Sequence, residues 1–187
     1  MDCGNLKNNL YKILNNKKML NKKVEQELNQ QVNAELYSAY FYLSMSAYLE
    51  SINLPGFAHW MRIQVEEEQF HAMKMFDYIN ERGGRVVLTT IEQPKTEWKN
   101  VIEVAEDIYA HEQLVTSLIN NLLDVAIEEK DHATNNFLQW FIAEQVEEEA
   151  NTGNILNQLK MLEGKGNGLF MMDKELSTRV FVPPTTK

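Results

Sequence analysis

The chain has 187 residues, 44 % hydrophobic and 24 % charged, with a net charge of −9 from 27 acidic and 18 basic side chains. That size and balance fit one globular domain with a sizeable core, argue against nucleic acid or an anionic membrane surface as partner, and suit the attraction of cations. No apolar run approaches the ~20 residues of a membrane span, and the single cysteine, Cys3, can build neither an internal disulfide nor a Cys-x-x-Cys metal knuckle, which points to a reducing, cytoplasmic setting.

Residues 1–18 are rich in Asn and Lys, with short apolar clusters such as Leu10-Tyr11 and Ile13-Leu14 but no continuous apolar stretch. They read as a flexible extension, or as lying upstream of an initiator at Met19, rather than as a signal peptide. A single domain is expected over 19–187. A first helix is predicted from Lys22 to Glu50, and Pro55 suits the first turn of a second, which reaches Arg82, where Gly83-Gly84 supplies a left-handed cap. Arg85 to Lys99 lacks helical periodicity and holds a β-branched cluster, Val86 to Ile91, and Pro94. A third helix starts at Asn100 as N-cap, with Glu103 reaching back in a capping-box variant, and ends near Glu129. A short turn, Lys130-Asp131-His132, leads to a fourth helix ending near Leu162. The glycine-rich stretch Glu163 to Gly168 reads as a loop, Leu169 to Leu176 as a short fifth helix, and the tail with Pro183-Pro184 as irregular.

Short connections make helices one and two antiparallel, and likewise three and four. The middle connection is ~15 residues, enough at ~3.3 Å per residue to travel a helix of ~40 Å. The expected architecture is all-α: a four-helix bundle with one long crossover between helices two and three, and no strands.

Each helix carries glutamate where an inward apolar side chain belongs. Stepping by four and three, the seams read Leu28, Val32, Glu35, Ala39, Tyr42; Met61, Val65, Glu68, Ala72, Met75; Val101, Ala105, Ile108, Glu112, Val115, Ile119, Leu122; and Phe137, Phe141, Glu144, Glu148, Asn151, Ile155. A buried, unpaired carboxylate is costly enough that it neutralises or finds a cation. Five seam carboxylates at one level, with His71 beside them, point to bound metal. Glu68-Gln69-Phe70-His71 places two ligands three residues apart on one helical face. That pattern alone is weak; the carboxylates in the other three seams strengthen it. In helix four, Glu144, Glu147 and Glu148 lie within ~100° of one another. Glu66 points away from Glu68, and Glu149 lies off the Glu148 face, so both read as solvated charges. His59, His111 and His132 lack carboxylates at ligand spacing and read as structural, and the methionines Met45, Met61, Met73 and Met75 as core filler.

These residues carry a family resemblance. Asn33-Ala34-Glu35-Leu36-Tyr37-Ser38, Glu67-Glu68-Gln69-Phe70-His71, His111-Glu112-Gln113, Asn136-Phe137-Leu138-Gln139-Trp140 and Glu144-Gln145-Val146-Glu147-Glu148-Glu149 resemble the ferritin pattern, and Gly168 to Ser177 resembles the fifth helix of bacterial non-haem ferritins. The similarity runs from about Met19 to Ser177. A prokaryotic-type non-haem ferritin implies iron storage with ferroxidase activity: Fe(II) and O2 or H2O2 as substrates, a di-iron centre inside each subunit, and Fe(III) mineral in a cage of 24 subunits.

By the same resemblance Glu35, Glu68 and His71 match the ligands of the first iron, and Glu68 bridges to a second completed by Glu112 and Glu148. Gln145 matches a polar neighbour of that centre and Tyr42 the adjacent tyrosine, two helical turns from Glu35. Glu67, Glu144 and Glu147 match a third iron site that shares Glu148. Oxygen-rich ligation with one imidazole suits iron that changes oxidation state. Gln69 stands where haem-binding relatives carry methionine, so no haem is expected. Asn151, not histidine, follows Glu148 by three, which breaks the second Glu-x-x-His of di-iron oxygenases. Where relatives often carry pore carboxylates near the start of helix four, this chain has Asn135 and Leu138.

Overall fold

The computed structural model describes residues 20–183; the expected N-terminal extension lies outside them. Five helices form in the expected order: α1 (Lys22–Ser51), α2 (Pro55–Glu81), α3 (Val101–Glu128), α4 (His132–Met161) and α5 (Gly166–Leu176). No strand occurs among the described residues.

Local chemistry sets the boundaries. Asn21 caps α1 by accepting from Lys23 N–H, and Pro55 opens α2. Gly83 takes φ +73°, as a left-handed cap requires. Asn100 accepts from the amides of Ile102 and Glu103. Glu103 reaches back as expected, but one residue further, to Lys99 N–H at 2.6 Å rather than to the cap itself. Asp131 caps α4 through Thr134 N–H and is gripped by both oxygens from Arg82 at the end of α2. The α2 and α4 ends are thereby tied across the bundle.

The crossover runs the length of α1. Glu25 accepts from Arg85 N–H, Asn29 brackets Arg85 and Val87, Asn33 donates to Thr90 O, and Ser44 donates to Lys95 O. Its residues advance with those of α1, so it delivers α3 to the C-terminal end of α1. Trp98 packs there on Phe41 and Tyr48. At the other end Glu129 meets Asn21 and Lys23. Helices α1 and α3 are therefore antiparallel, and α2 and α3 run the same way.

The core comes in two parts. One cluster gathers Tyr42, Met45, Leu49, Met61, Ile108 and Leu159; the other gathers Leu28, Val32, Met75, Ile119, Leu138 and Phe141. Between them every long helix buries polar groups: Glu35 and Ser38, Gln64, Glu68 and His71, Glu112, and Gln145, Glu148 and Thr152. The carboxylate layer divides one bundle into two apolar halves.

Two expectations are corrected here. The inward line of α4 is Thr134, Leu138, Phe141, Gln145, Glu148, Thr152, Leu156 and Leu159, one position round from the expected seam. Phe137 and Glu144 sit beside it half-buried, and Asn151 is exposed. Leu138 is fully buried, so it lines no pore. The fifth helix also starts earlier than expected, because Glu163 (φ 52°) and Gly164 (φ 60°) complete the turn at once and Lys165 is the extended N-cap.

Helix α5 docks on the start of α2. Asp173 Oδ1 accepts from Phe57 N–H at 2.9 Å, satisfying one of the free amides of the α2 N-terminus. A Cβ at Gly56 would lie 1.7 Å from Asp173 O, so only glycine permits this approach. Of the apolar run on α5, Met172 is buried and Leu169 half-buried, while Phe170 and Met171 are exposed.

Candidate metal centre

Glu35 on α1 and Glu68 and His71 on α2 meet in the polar layer. One ligand atom from each lies within 4.8 Å of the others, and all three side chains are buried. Glu35 and Glu68 follow apolar residues at helical spacing, so packing of the seam carries them inward whether or not they find partners. His71 Nδ1 is 3.7 Å from Glu68 Oε2. Its ring is wedged edge-on among Phe70, Trp140 and Phe141, at centroid distances of 5.4 to 6.3 Å. Gln31, one turn before Glu35, donates to Glu35 Oε1 at 2.9 Å. The other oxygen of Glu35 and Oε2 of Glu68 accept from no protein donor among the described residues, although the two carboxyl groups are close enough to share a proton. Two orphaned carboxylate oxygens facing an imidazole form the donor set of a divalent cation.

Glu112 and Glu148 complete the layer from α3 and α4, outside that tight group of three. Tyr42 Oη donates to Glu112 Oε1. Gln145 Nε2 reaches Glu112 Oε2, Glu112 O and Thr116 Oγ1, each at 3.3 Å. Gln64 Nε2 donates to Glu148 Oε2 at 3.1 Å. The second pair of carboxylates is thus held by several protein donors, where the first pair has Gln31 alone.

Burial dominates the electrostatics. It pushes Glu35 and Glu68 well above the ordinary carboxylate range; the charge of Glu68 adds to the shift of Glu35, and that of Glu112 to the shift of Glu68, which a hydrogen bond with Glu35 opposes. Glu112 rises to about 7, from burial first and Glu148 second, with Tyr42 and Gln145 opposing. Burial and Glu112 keep the Tyr42 hydroxyl protonated well beyond its usual range. Without a cation these carboxylates hold protons near neutrality; a metal ion would displace them.

The three further carboxylates do not converge. Glu147 is exposed, Glu144 is half-buried, and burial raises it. Both oxygens of Glu67 are taken by the Arg179 guanidinium, at 2.9 and 2.7 Å. Burial and Glu148 still push Glu67 up to about 7 against the pull of Arg179. Its charge therefore depends on the cation beside it. Glu66 is exposed, and Glu149 accepts from Thr116 Oγ1, away from the layer.

Three residues stand at the site without having been expected there, Gln31, Gln64 and Arg179, and a fourth, His111, is structural as its spacing implied. Gln31 and Gln64 each precede a seam glutamate by four positions, which is a legible signal for a shared face. His111, held neutral by burial with its pKa lowered to about 4, bonds Ser38 Oγ at 2.8 Å and lies among the rings of Tyr37, Phe41 and Tyr42. Arg179 comes from the tail after α5 and carried no signal.

Comparison with known proteins agrees with this plan. The family profile of the ferritin-like domain matches residues 25–162. The bacterial non-heme ferritin of Staphylococcus saprophyticus is 43 % identical over 163 residues, 87 % of this chain and 98 % of that protein. The bacterial non-heme ferritin of Bacteroides fragilis is 42 % identical over 161 residues, 86 % of this chain and all of that protein. Among solved structures, an open-pore ferritin from the archaeon Archaeoglobus fulgidus is 50 % identical, with a TM-score of 0.85 over 86 % of this chain and 99 % of its own. A form of that ferritin engineered to close gives a TM-score of 0.86 at the same identity, over 87 % and 99 %. The chain, a four-helix bundle with a long crossover and a short fifth helix, belongs to the ferritin family.

Proposed function

We propose that this ferritin stores iron and is a ferroxidase, oxidising Fe(II) at a di-iron centre inside each subunit. One observation carries the reading: two buried carboxyl oxygens, on Glu35 and Glu68, accept from no protein donor among the described residues and lie with a His71 ring nitrogen within 4.8 Å of one another. Such a cavity either holds protons or admits a cation that displaces them. Glu35, Glu68 and His71 hold the first Fe(II). Glu68 reaches toward Glu112 and Glu148, which hold the second once Tyr42 and Gln145 share or release their carboxylate. Gln145 and Tyr42 steady that second position, and Tyr42 is placed to supply an electron. Two adjacent irons deliver two electrons to one O2, or to H2O2, without releasing a one-electron product. The third iron that the resemblance implies would take Glu67, Glu144 and Glu147 with Glu148, and would require these side chains, now apart, to move together and Glu67 to leave Arg179.

Family membership and the exposed apolar residues support a closed cage of 24 subunits with Fe(III) mineral inside. Phe170 and Met171 on α5, and Leu43, Val87 and Leu88 along α1 and the crossover, are more than two-fifths exposed in a lone chain, and neighbouring subunits would cover them. No helix among the described residues is long and apolar enough to cross a membrane; the proposed cytoplasmic location is supported by the single cysteine. The test is stopped-flow oxidation of Fe(II) in air. Glu68→Ala, which removes the shared ligand, is expected to lose the fast phase entirely, and a wild-type rate in that variant would remove the centre from the account. A native mass of one or two subunits would remove the cage and leave an oxidase.

A further inference from the structure

After α5 the chain turns back along the outer face of α2, and its side chains alternate. Arg179 and Phe181 point to the bundle, while Val180 and Val182 are exposed. Phe181 meets the edge of Phe70, and the backbone carbonyl of Arg179 accepts from His59 Nε2 at 2.8 Å. The Arg179 guanidinium lies 5.2 Å from the Trp60 ring and spans Gln64 and Glu67. Trp60, Gln64 and Glu67 are spaced four and three apart, one stripe of α2.

Arg179 acts on two carboxylates at once. It grips both oxygens of Glu67, as a cation does. It also donates to Gln64 Oε1. A guanidinium has only donors, so the Gln64 amide must present its oxygen to Arg179 and its nitrogen to Glu148, which it meets at 3.1 Å. The tail therefore sets the orientation of a buried amide whose far end holds a carboxylate of the centre.

We propose that residues 178–182 form a removable strap in which Arg179 occupies the cation position on Glu67, closing the third metal site and positioning Glu148 through Gln64 until a metal ion displaces it. The proposal rests on the ligand roles given to Glu67 and Glu148 above. Beyond the turn that joins it to α5, the strap is held on α2 by one guanidinium, one histidine bond and one aromatic edge, so an incoming ion competes with a small, local set of interactions. The strap makes the third site the last to fill.

Calorimetric titration of the metal-free full-length protein with Co(II), which is redox-silent in air at neutral pH and reports each site by its visible absorption, separates the cases. The wild type is expected to bind two ions per subunit tightly and a third weakly. Arg179→Ala should leave the first two present and tighten the third on the order of tenfold. Arg179→Lys, which keeps the charge but not the fork, should fall between them, and Arg179→Ala combined with Glu67→Gln should lose the third event. A gain of affinity is not what mere structural damage gives. Unchanged or weaker third binding in Arg179→Ala would overturn the strap while leaving the di-metal centre intact. Absence of the two tight events in the wild type would overturn the centre, and the strap with it.

Discussion

The Tyr42 hydroxyl, on α1, donates to Glu112 on α3 across the buried polar layer, and both residues are almost wholly inaccessible to solvent. This bond holds Glu112 partly anionic against burial and the neighbouring Glu148. It also fixes the phenol beside the second metal position. Tyr42→Phe should therefore bind two metal ions per subunit but oxidise Fe(II) several-fold more slowly, as read by stopped-flow absorbance with metal stoichiometry measured in parallel. Full-speed oxidation would leave Tyr42 as packing. Loss of a buried hydrogen bond to a charged acceptor should also lower stability by about 1–3 kcal/mol, measurable by urea unfolding.

The orphaned oxygens of Glu35 and Glu68 make the metal-free protein less stable than its fold allows. Above the pH at which Glu68 releases its proton, Glu68→Gln replaces a buried carboxylate with a neutral amide of the same shape. The variant should melt higher than the wild type without metal, by a margin equivalent to about 1–3 kcal/mol, and should lose the rise in Tm that Zn(II) or Fe(II) gives the wild type. A variant that melts lower without metal would show that the carboxylate is satisfied in the native protein.

Much of this was written in the sequence. Asn21, Pro55, Gly83, Asn100 and Asp131 mark helix ends because each supplies a donor, an acceptor or a backbone angle that a helix interior cannot. Seam spacing placed Glu35, Glu68 and Glu112 in the core correctly. The α4 register was less legible, since Phe137 and Leu138 are both apolar and both partly inward. Phe137 stacks on Tyr78 at 3.8 Å from the bundle's flank, while Leu138 takes the core. The helix is therefore rotated so that neutral Gln145, not Glu144, is buried, which spares one charge. Arg179 could not have been found, because an extended tail has no periodicity and its partner, Glu67, lies 112 residues away.

The pH dependence of the metal-free protein has a definite sign. Glu112 and Glu67 are raised from an ordinary 4.5 to about 7, and Glu35 and Glu68 well above the ordinary range, in each case chiefly by burial. Above 4.5 the unfolded chain has released these protons and the folded chain still holds them. The stability they contribute is complete below 4.5 and is lost as pH rises through about 7, on the order of 3 kcal/mol for Glu112 alone. Tm without metal should fall between pH 5.5 and 8.5, and metal affinity should rise over the same range with measurable proton release. A metal-free Tm that climbs with pH there would contradict the buried-carboxylate assignment.

Helix α5 is fastened to α2 by Gly56 and Asp173. Asp173→Ala removes an acceptor from the α2 N-terminus and should cost about 0.5–2 kcal/mol. Gly56→Ala, whose methyl would overlap the Asp173 carbonyl, should dislodge α5 altogether. Both variants should keep Fe(II) oxidation in the bundle while weakening the cage, with Gly56→Ala the stronger. Analytical ultracentrifugation would show it as a shift toward smaller species, and an unchanged 24-subunit assembly in Gly56→Ala would dissociate α5 from assembly.

Anomalous diffraction from crystals soaked anaerobically in Fe(II) tests the di-iron centre most directly. Two iron peaks are predicted within the polar layer of each subunit, one bonded to Glu35, Glu68 and His71 and the other to Glu68, Glu112 and Glu148. Iron bound only on the surface, with the layer still closed by Tyr42, Gln145 and Gln64, would contradict it.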